Sequence, residues 1–219
     1  MQLEQQETFV IHGPQLEVFG ELETKLPAPA KKRPVAALAL AALALASVFG
    51  IGGARLKGLR SSTARIYTTQ QDEYGHSIQG DLAAQTDAAA SLIRVAGNVL
   101  GQEDADVQNA QAALDAWNAE ASADAPAVQY KLNTQLTGAV DILYTAAADE
   151  ADSKAKGQLD DLHDSFTSAQ ATLERAAADY NAKAEAYNEK VTAFPANVLA
   201  GLWDAGTLQT FAPSDFATG

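Results

Sequence analysis

The hydrophobic pattern of this chain changes character once. From Pro34 to Gly53 the twenty residues PVAALALAALALASVFGIGG carry no charge and show no polar stripe. A helix rising ~1.5 Å per residue makes such a run about 30 Å long, the thickness of a bilayer's hydrocarbon core. After Ser62, apolar residues recur instead at steps of three and four, the coiled-coil-like spacing of helices that bury one seam. Ile78, Leu82, Gln85, Ala89, Leu92, Ala96 and Val99 form the first seam. Val107, Ala110, Leu114, Trp117 and Ala121 form the second, entered through an N-cap at Asp104 or Asp106. The third is Val128, Leu132, Leu136, Ala139, Leu143 and Ala146, after a turn over Ser122–Pro126. The fourth runs Leu162, Phe166, Ala169, Leu173, Ala176, Tyr180, Ala184, Tyr187, Val191 and Phe194, and Pro195 ends it.

This pattern predicts an all-α protein. A transmembrane helix over 34–54 is followed by a four-helix bundle over 62–194, antiparallel because the connections are short. A short apolar helix and tail occupy 195–219, with Val198, Leu199, Leu202, Trp203, Phe211 and Phe216 expected to cap the bundle end. Capping is preferred to a membrane interface because no Lys or Arg follows Lys190. The N-terminal tail, 1–33, holds two strand-like runs around His12-Gly13-Pro14 and is expected to be mostly disordered, since an isolated hairpin is marginal in water.

For the apolar run, a buried core helix fits poorly without a polar stripe. A cleaved signal peptide stays open: Val35–Leu45 has the length of its apolar region, and Ala44-Leu45-Ala46 the form of its cleavage site. Against it, 33 residues precede the run, and apolar character continues through Val48, Phe49 and Ile51. Lys31, Lys32 and Arg33 abut the run directly, so the positive-inside rule places the tail in the cytoplasm and the domain outside, single-pass, although Arg55, Lys57, Arg60 and Arg65 stand on the other flank. Ala42, Ala46, Gly50 and Ala54 recur every fourth residue. That ridge either packs two membrane helices together or follows from an Ala-rich composition.

Charge narrows the partners. The chain carries a formal charge of −13, and from Ser61 onward 8 Lys/Arg stand against 23 Asp/Glu. So acidic a domain repels phosphate backbones, which argues against nucleic acid. The partners left are the lipid bilayer and another protein or a second copy. With no cysteine, disulfides and thiolate chemistry are excluded.

The fourth helix carries a more specific signal. Leu173-Glu174-Arg175-Ala176-Ala177-Ala178-Asp179-Tyr180-Asn181, then Tyr187-Asn188, Val191, Phe194-Pro195, Asn197 and Ala200-Gly201-Leu202, resemble the C-terminal signature of LemA family proteins. A looser match covers Asp81–Ile93 through Leu82, Asp87 and Leu92, with Ala84 and Gln85 in place of a basic pair and Ala90 in place of a proline. The resemblance implies a bacterial envelope protein with one N-terminal membrane helix and an antiparallel four-helix bundle, and it brings no catalytic residues. Tyr180 and Tyr187 lie two turns apart on one face, and Asn181 and Asn188 are rotated from them by ~100°. They are expected to clamp the C-terminal segment onto the bundle, with a partner-binding surface as the other reading.

Candidate chemistry is sparse. His12, His76 and His163 lie in three segments without zinc-motif spacing. Asp160, Asp161 and Asp164, and Asp149, Glu150 and Asp152, lack the alternation of a calcium loop. A phosphate-binding glycine loop and a nucleophile elbow are absent from the sequence. No cofactor or metal is expected, and the function predicted is a non-catalytic structural or adaptor role. The alternative is an extracytoplasmic sensor or small-ligand module, for which Gln85, a polar residue in a buried seam, is the sequence argument.

Overall fold

The computed structural model describes residues 33–72 and 75–212; expectations for the tail before Arg33, including His12, and for Phe216 lie outside the described residues. Every regular element described is helical, and the chain divides into two compact units between Gly52 and Gly53.

The first unit contains α1 (Arg33–Ala46) and a π-helical turn, π1 (Ser47–Gly52). Leu38, Leu40, Leu43, Leu45 and Ile51 stand exposed. The helical run Pro34–Thr68 contains a stretch long and apolar enough to cross a membrane, none of it buried. Ala42 and Ala46 lie in α1 and Gly50 in π1, while Ala54 belongs to the second unit, which begins at Gly53. A π turn bonds i to i+5, so the four-residue ridge loses its α-helical register after Ala46.

The second unit holds α2 (Gly53–Thr68), α3 (Ile78–Leu100), α4 (Ala105–Glu120), α5 (Pro126–Glu150), α6 (Ser153–Thr192) and α7 (Ala196–Trp203). Local chemistry sets the boundaries. Ser77, Asp104 and Asp152 are N-caps whose side chains accept backbone N–H groups of the first turns of α3, α4 and α6, satisfying donors a helix start leaves unpaired. Pro126 opens α5, where a missing N–H costs nothing. Gly101 ends α3 at φ 100°, a conformation that favours glycine.

The core forms three layers. Far from Gly53, Leu92, Ala96, Leu114, Val140, Leu143, Leu159 and Phe166 join α3, α4, α5 and α6. In the middle, Tyr67, Leu82, Trp117, Leu132, Leu173 and Tyr180 bring α2 in beside them, together with Phe211. Nearest Gly53, Tyr187, Val191 and Ala200 join α6 to α7, with Leu56 of α2 against them. Helix α6 links all three layers: Leu159, Phe166, Leu173, Tyr180 and Tyr187 are buried at every seventh position, and Ala177, Ala184 and Val191 repeat between them.

The third seam differs from the sequence reading. Gln129, Leu132, Leu136, Val140, Leu143 and Ala147 are buried, while Val128 is exposed and Ala139 and Ala146 are only partly covered. Hydropathy favours Val128, but Gln129 goes inside because Tyr67 and Gln79 supply its hydrogen bonds there. Phe194 is the other correction: it lies past the end of α6 and is 84% exposed.

Candidate functional site

The most fully built site lies where the segment after α7 returns along α6. Asp204 closes α7 in the left-handed region (φ 51°), and the Ala205 N–H donates to the Ala200 carbonyl. Asp tolerates this conformation better than most residues. The chain then runs as an irregular strap opposite in direction to α6, and four α6 side chains hold it by its backbone.

Tyr187 Oη donates to the Ala205 carbonyl at 2.5 Å, and Tyr180 Oη to the Gln209 carbonyl at 2.5 Å. Asn188 makes a two-point contact with Leu208, Nδ2 donating to its carbonyl at 2.9 Å and Oδ1 accepting its N–H at 2.8 Å. Asn181 repeats the pattern on Phe211, at 2.9 and 2.8 Å. The seven-residue repeat has a geometric cause. Seven helical residues from Asn181 to Asn188 rise about 10.5 Å, and three extended residues from Leu208 to Phe211 span about 10 Å. The two asparagines therefore meet backbone groups three residues apart.

Apolar contacts complete the strap. Phe211 is buried against Tyr67, with ring centroids 6.0 Å apart, and edge-on to Tyr130 at 5.4 Å and 87°. Tyr67 and Tyr180 lie 4.9 Å apart. Tyr67 Oη donates to Gln129 Oε1 at 2.5 Å, and Arg60 Nε donates to the Gly206 carbonyl at 3.2 Å. Burial pushes the phenols of Tyr67, Tyr180 and Tyr187 above their ordinary range, with the Arg60 charge opposing it more weakly at Tyr180 and Tyr187. All three remain neutral donors well into alkaline solution.

The rest of the signature does not join this clamp. Phe194 and Pro195 form the turn before α7, joined by a cis peptide, and Asn197 Oδ1 accepts the N–H of Val198 at 2.8 Å. Tyr67, Gln129 and Arg60 are contributors that sequence reasoning missed. The four α6 side chains recognise the strap through its N–H and C=O groups, which every residue carries, so only apolar Phe211 marks the strap in the sequence.

Gln85 is buried and engaged: Asn133 Nδ2 donates to its Oε1, and its Nε2 reaches Thr137 Oγ1 at 3.4 Å. His163 stacks on Tyr144 at 3.9 Å and meets Asp141 Oδ1 at 3.2 Å; Tyr144 Oη donates to Asp160. That bond to a carboxylate raises the Tyr144 pKa. Asp152 is spent on capping α6. His76 Nδ1 lies 3.2 Å from Asp81 Oδ1, and Asp81 Oδ2 is buried without a partner among the described residues. It adjoins a cavity of about 600 Å³ lined also by Asp164, Ser168 and Thr172. No group of three or more His, Cys, Asp or Glu arranged for a metal occurs among the described residues.

Comparison with curated proteins and with solved structures finds no match. A family model does match, over residues 75–218, a stretch that takes in α3 to α7, the paired Tyr-Asn steps and the strap they hold. The chain belongs to the LemA family.

Proposed function

We propose that this protein is a membrane-anchored helical scaffold with a structural or adaptor role at the cell envelope. Residues 34–54 cross the bilayer once, the tail is cytoplasmic, and the domain stands outside. Helices α3 to α6 form an antiparallel four-helix bundle, which α2 and the strap brace at the anchored end. The observation that carries this reading is the clamp. Tyr180, Asn181, Tyr187 and Asn188 direct their hydrogen-bonding groups at the backbone of their own chain, as parts of a scaffold do. The scaffold's partners are another envelope protein or a second copy, and its role is contact, not turnover. Affinity purification in mild detergent, with the mass of the purified species measured, tests it. A specific partner or an oligomer supports the scaffold; a bare monomer counts against it.

One observation favours a second reading, a small-ligand module: the unpartnered Asp81 oxygen beside a cavity between α3 and α6. A buried polar atom without a partner costs stability that a cationic or hydrogen-bond-donating ligand would restore. Thermal shifts across a metabolite panel test it, and a panel with no stabilising compound removes it.

A further inference from the structure

Helix α7 is apolar on both sides. Its inner side is occupied, with Leu199 and Ala200 buried and Ala200 packed in the layer of Tyr187 and Val191. Its outer side is not occupied by any of the described residues. Val198 is 47% exposed and Leu202, one turn on, is 67% exposed; Phe194, in the turn just before the helix, is 84% exposed. Val198 and Leu202, one helical turn apart, form an exposed apolar face, and exposed Phe194 stands at the end where the helix begins; apolar surface of this kind is usually covered by something.

The place of this face identifies the cover. Trp203, the last residue of α7, lays its indole where a Cβ on Gly53 would stand, so only glycine fits there. Gly53 closes the uncharged run that begins at Pro34. The end of α7 is thus fixed at the residue where the chain leaves its apolar segment. Trp favours that depth, where a ring can be apolar on one side and wet on the other. The sequence argument against lipid contact was the lack of Lys or Arg after Lys190. Folding supplies them from elsewhere: Arg55 and Lys57 stand exposed in the first turns of α2, and Arg60 of the same helix bonds the Gly206 carbonyl just past α7. Long basic side chains there keep their heads among lipid phosphates while their stems cover apolar surface.

We propose that Phe194, Val198 and Leu202 form an interfacial face that inserts into the headgroup–acyl boundary of the bilayer holding the chain's own apolar helix. Helix α7 is then a second point of membrane contact besides the spanning helix. This rests on the reading of residues 34–54 as a membrane anchor.

The test uses the full chain, whose native sequence lacks cysteine. Single-cysteine variants Val198→Cys, Leu202→Cys, Ala42→Cys and Ile142→Cys are labelled with an environment-sensitive fluorophore. They are reconstituted into phosphatidylcholine–phosphatidylglycerol vesicles containing lipids brominated near the carbonyl or deep in the chain. Ile142 is an exposed apolar control, 61% accessible, on α5 beside the layer of Phe166. Roughly 38 Å of α6 rise separates Phe166 from Val191 in the α7 layer.

Labels at 198 and 202 are expected to lose most of their emission to the shallow quencher. The label at 42 responds to the deep one and the label at 142 to neither. Adding Val198→Asp to the Leu202→Cys chain abolishes quenching at 202 and leaves quenching in the Ala42→Cys chain unchanged. Quenching at 42 without quenching at 198 and 202 overturns the interfacial face and spares the anchor. No quenching at 42 overturns both. Crosslinking of Leu202→Cys to its own copy, without lipid quenching, assigns the face to a second chain and overturns the proposal.

Discussion

Asn188 holds Leu208 by both of its backbone groups, twenty residues on in sequence, with Nδ2 and Oδ1 at 2.9 and 2.8 Å. Asn188→Ala leaves a part-buried donor and acceptor unpaired, at a cost of about 1–3 kcal/mol. That lowers Tm by roughly 3 °C per kcal/mol in a chain of this size. Asn181→Ala behaves alike at Phe211. The double variant loses less than the sum, because a strap released at one point gains little from the other. Circular dichroism melts of the four chains in detergent measure this, and strictly additive losses would mean two independent contacts.

Tyr180→Phe and Tyr187→Phe keep their rings in the seam and remove only the donors to Gln209 and Ala205. Each is expected to cost about 1 kcal/mol. Phe211→Ala costs more, about 3 kcal/mol, because it empties the space between Tyr67 and Tyr130. Urea unfolding ranks the three, and Phe211→Ala proving the mildest would refute the packing described for the strap.

The polar pair inside the core behaves as a unit. Gln85→Leu strands the Asn133 amide and costs about 1–3 kcal/mol, whereas Gln85→Leu with Asn133→Leu recovers most of it. A double-mutant cycle in urea reads the coupling directly. If the double variant is the sum of the singles, the pair is not coupled.

Alkaline pH acts through the phenols. The pKa values of Tyr67, Tyr180 and Tyr187 are raised on folding from an unfolded value of 10.0, so the folded state favours the neutral form. Their contribution is complete below pH 10 and is lost as pH rises through the folded values. Stability is expected to be flat from neutral pH up to about 10 and to fall beyond it. The fall is smaller in Tyr67→Phe, once its lower baseline is subtracted. Urea midpoints against pH, with tyrosinate absorbance recorded alongside, give the measurement.

Gly53→Val places a branched side chain in the space of the Trp203 indole. In a Trp117→Phe background, Trp203 is the sole indole of the chain. Its emission is expected to change on Gly53→Val and to stay put on Gly58→Val, where a Cβ meets nothing within 4 Å.

What the sequence by itself determined is whatever depends on neighbours along the chain. The uncharged run after Pro34, the cap at Asp104, and the buried faces of α3, α4 and most of α6 all follow from spacing, because a helix repeats over a few residues whatever surrounds it. The paired Tyr-Asn steps were visible in the same way, and with them the family. Tertiary structure decided the choices in which local preference was even or wrong. Gln129 is inside and Val128 outside because Tyr67, sixty-two residues away, offers a hydrogen bond there. Leu199 is buried and Val198 is not, although both are apolar, because α6 and α2 meet only one side of α7. Asn181 and Asn188 bind backbone, and which stretch of backbone reaches them depends on the reversal at Asp204, twenty-three residues beyond Asn181. A helix period is local physics, whereas the partner of a buried polar group is fixed only when distant segments pack.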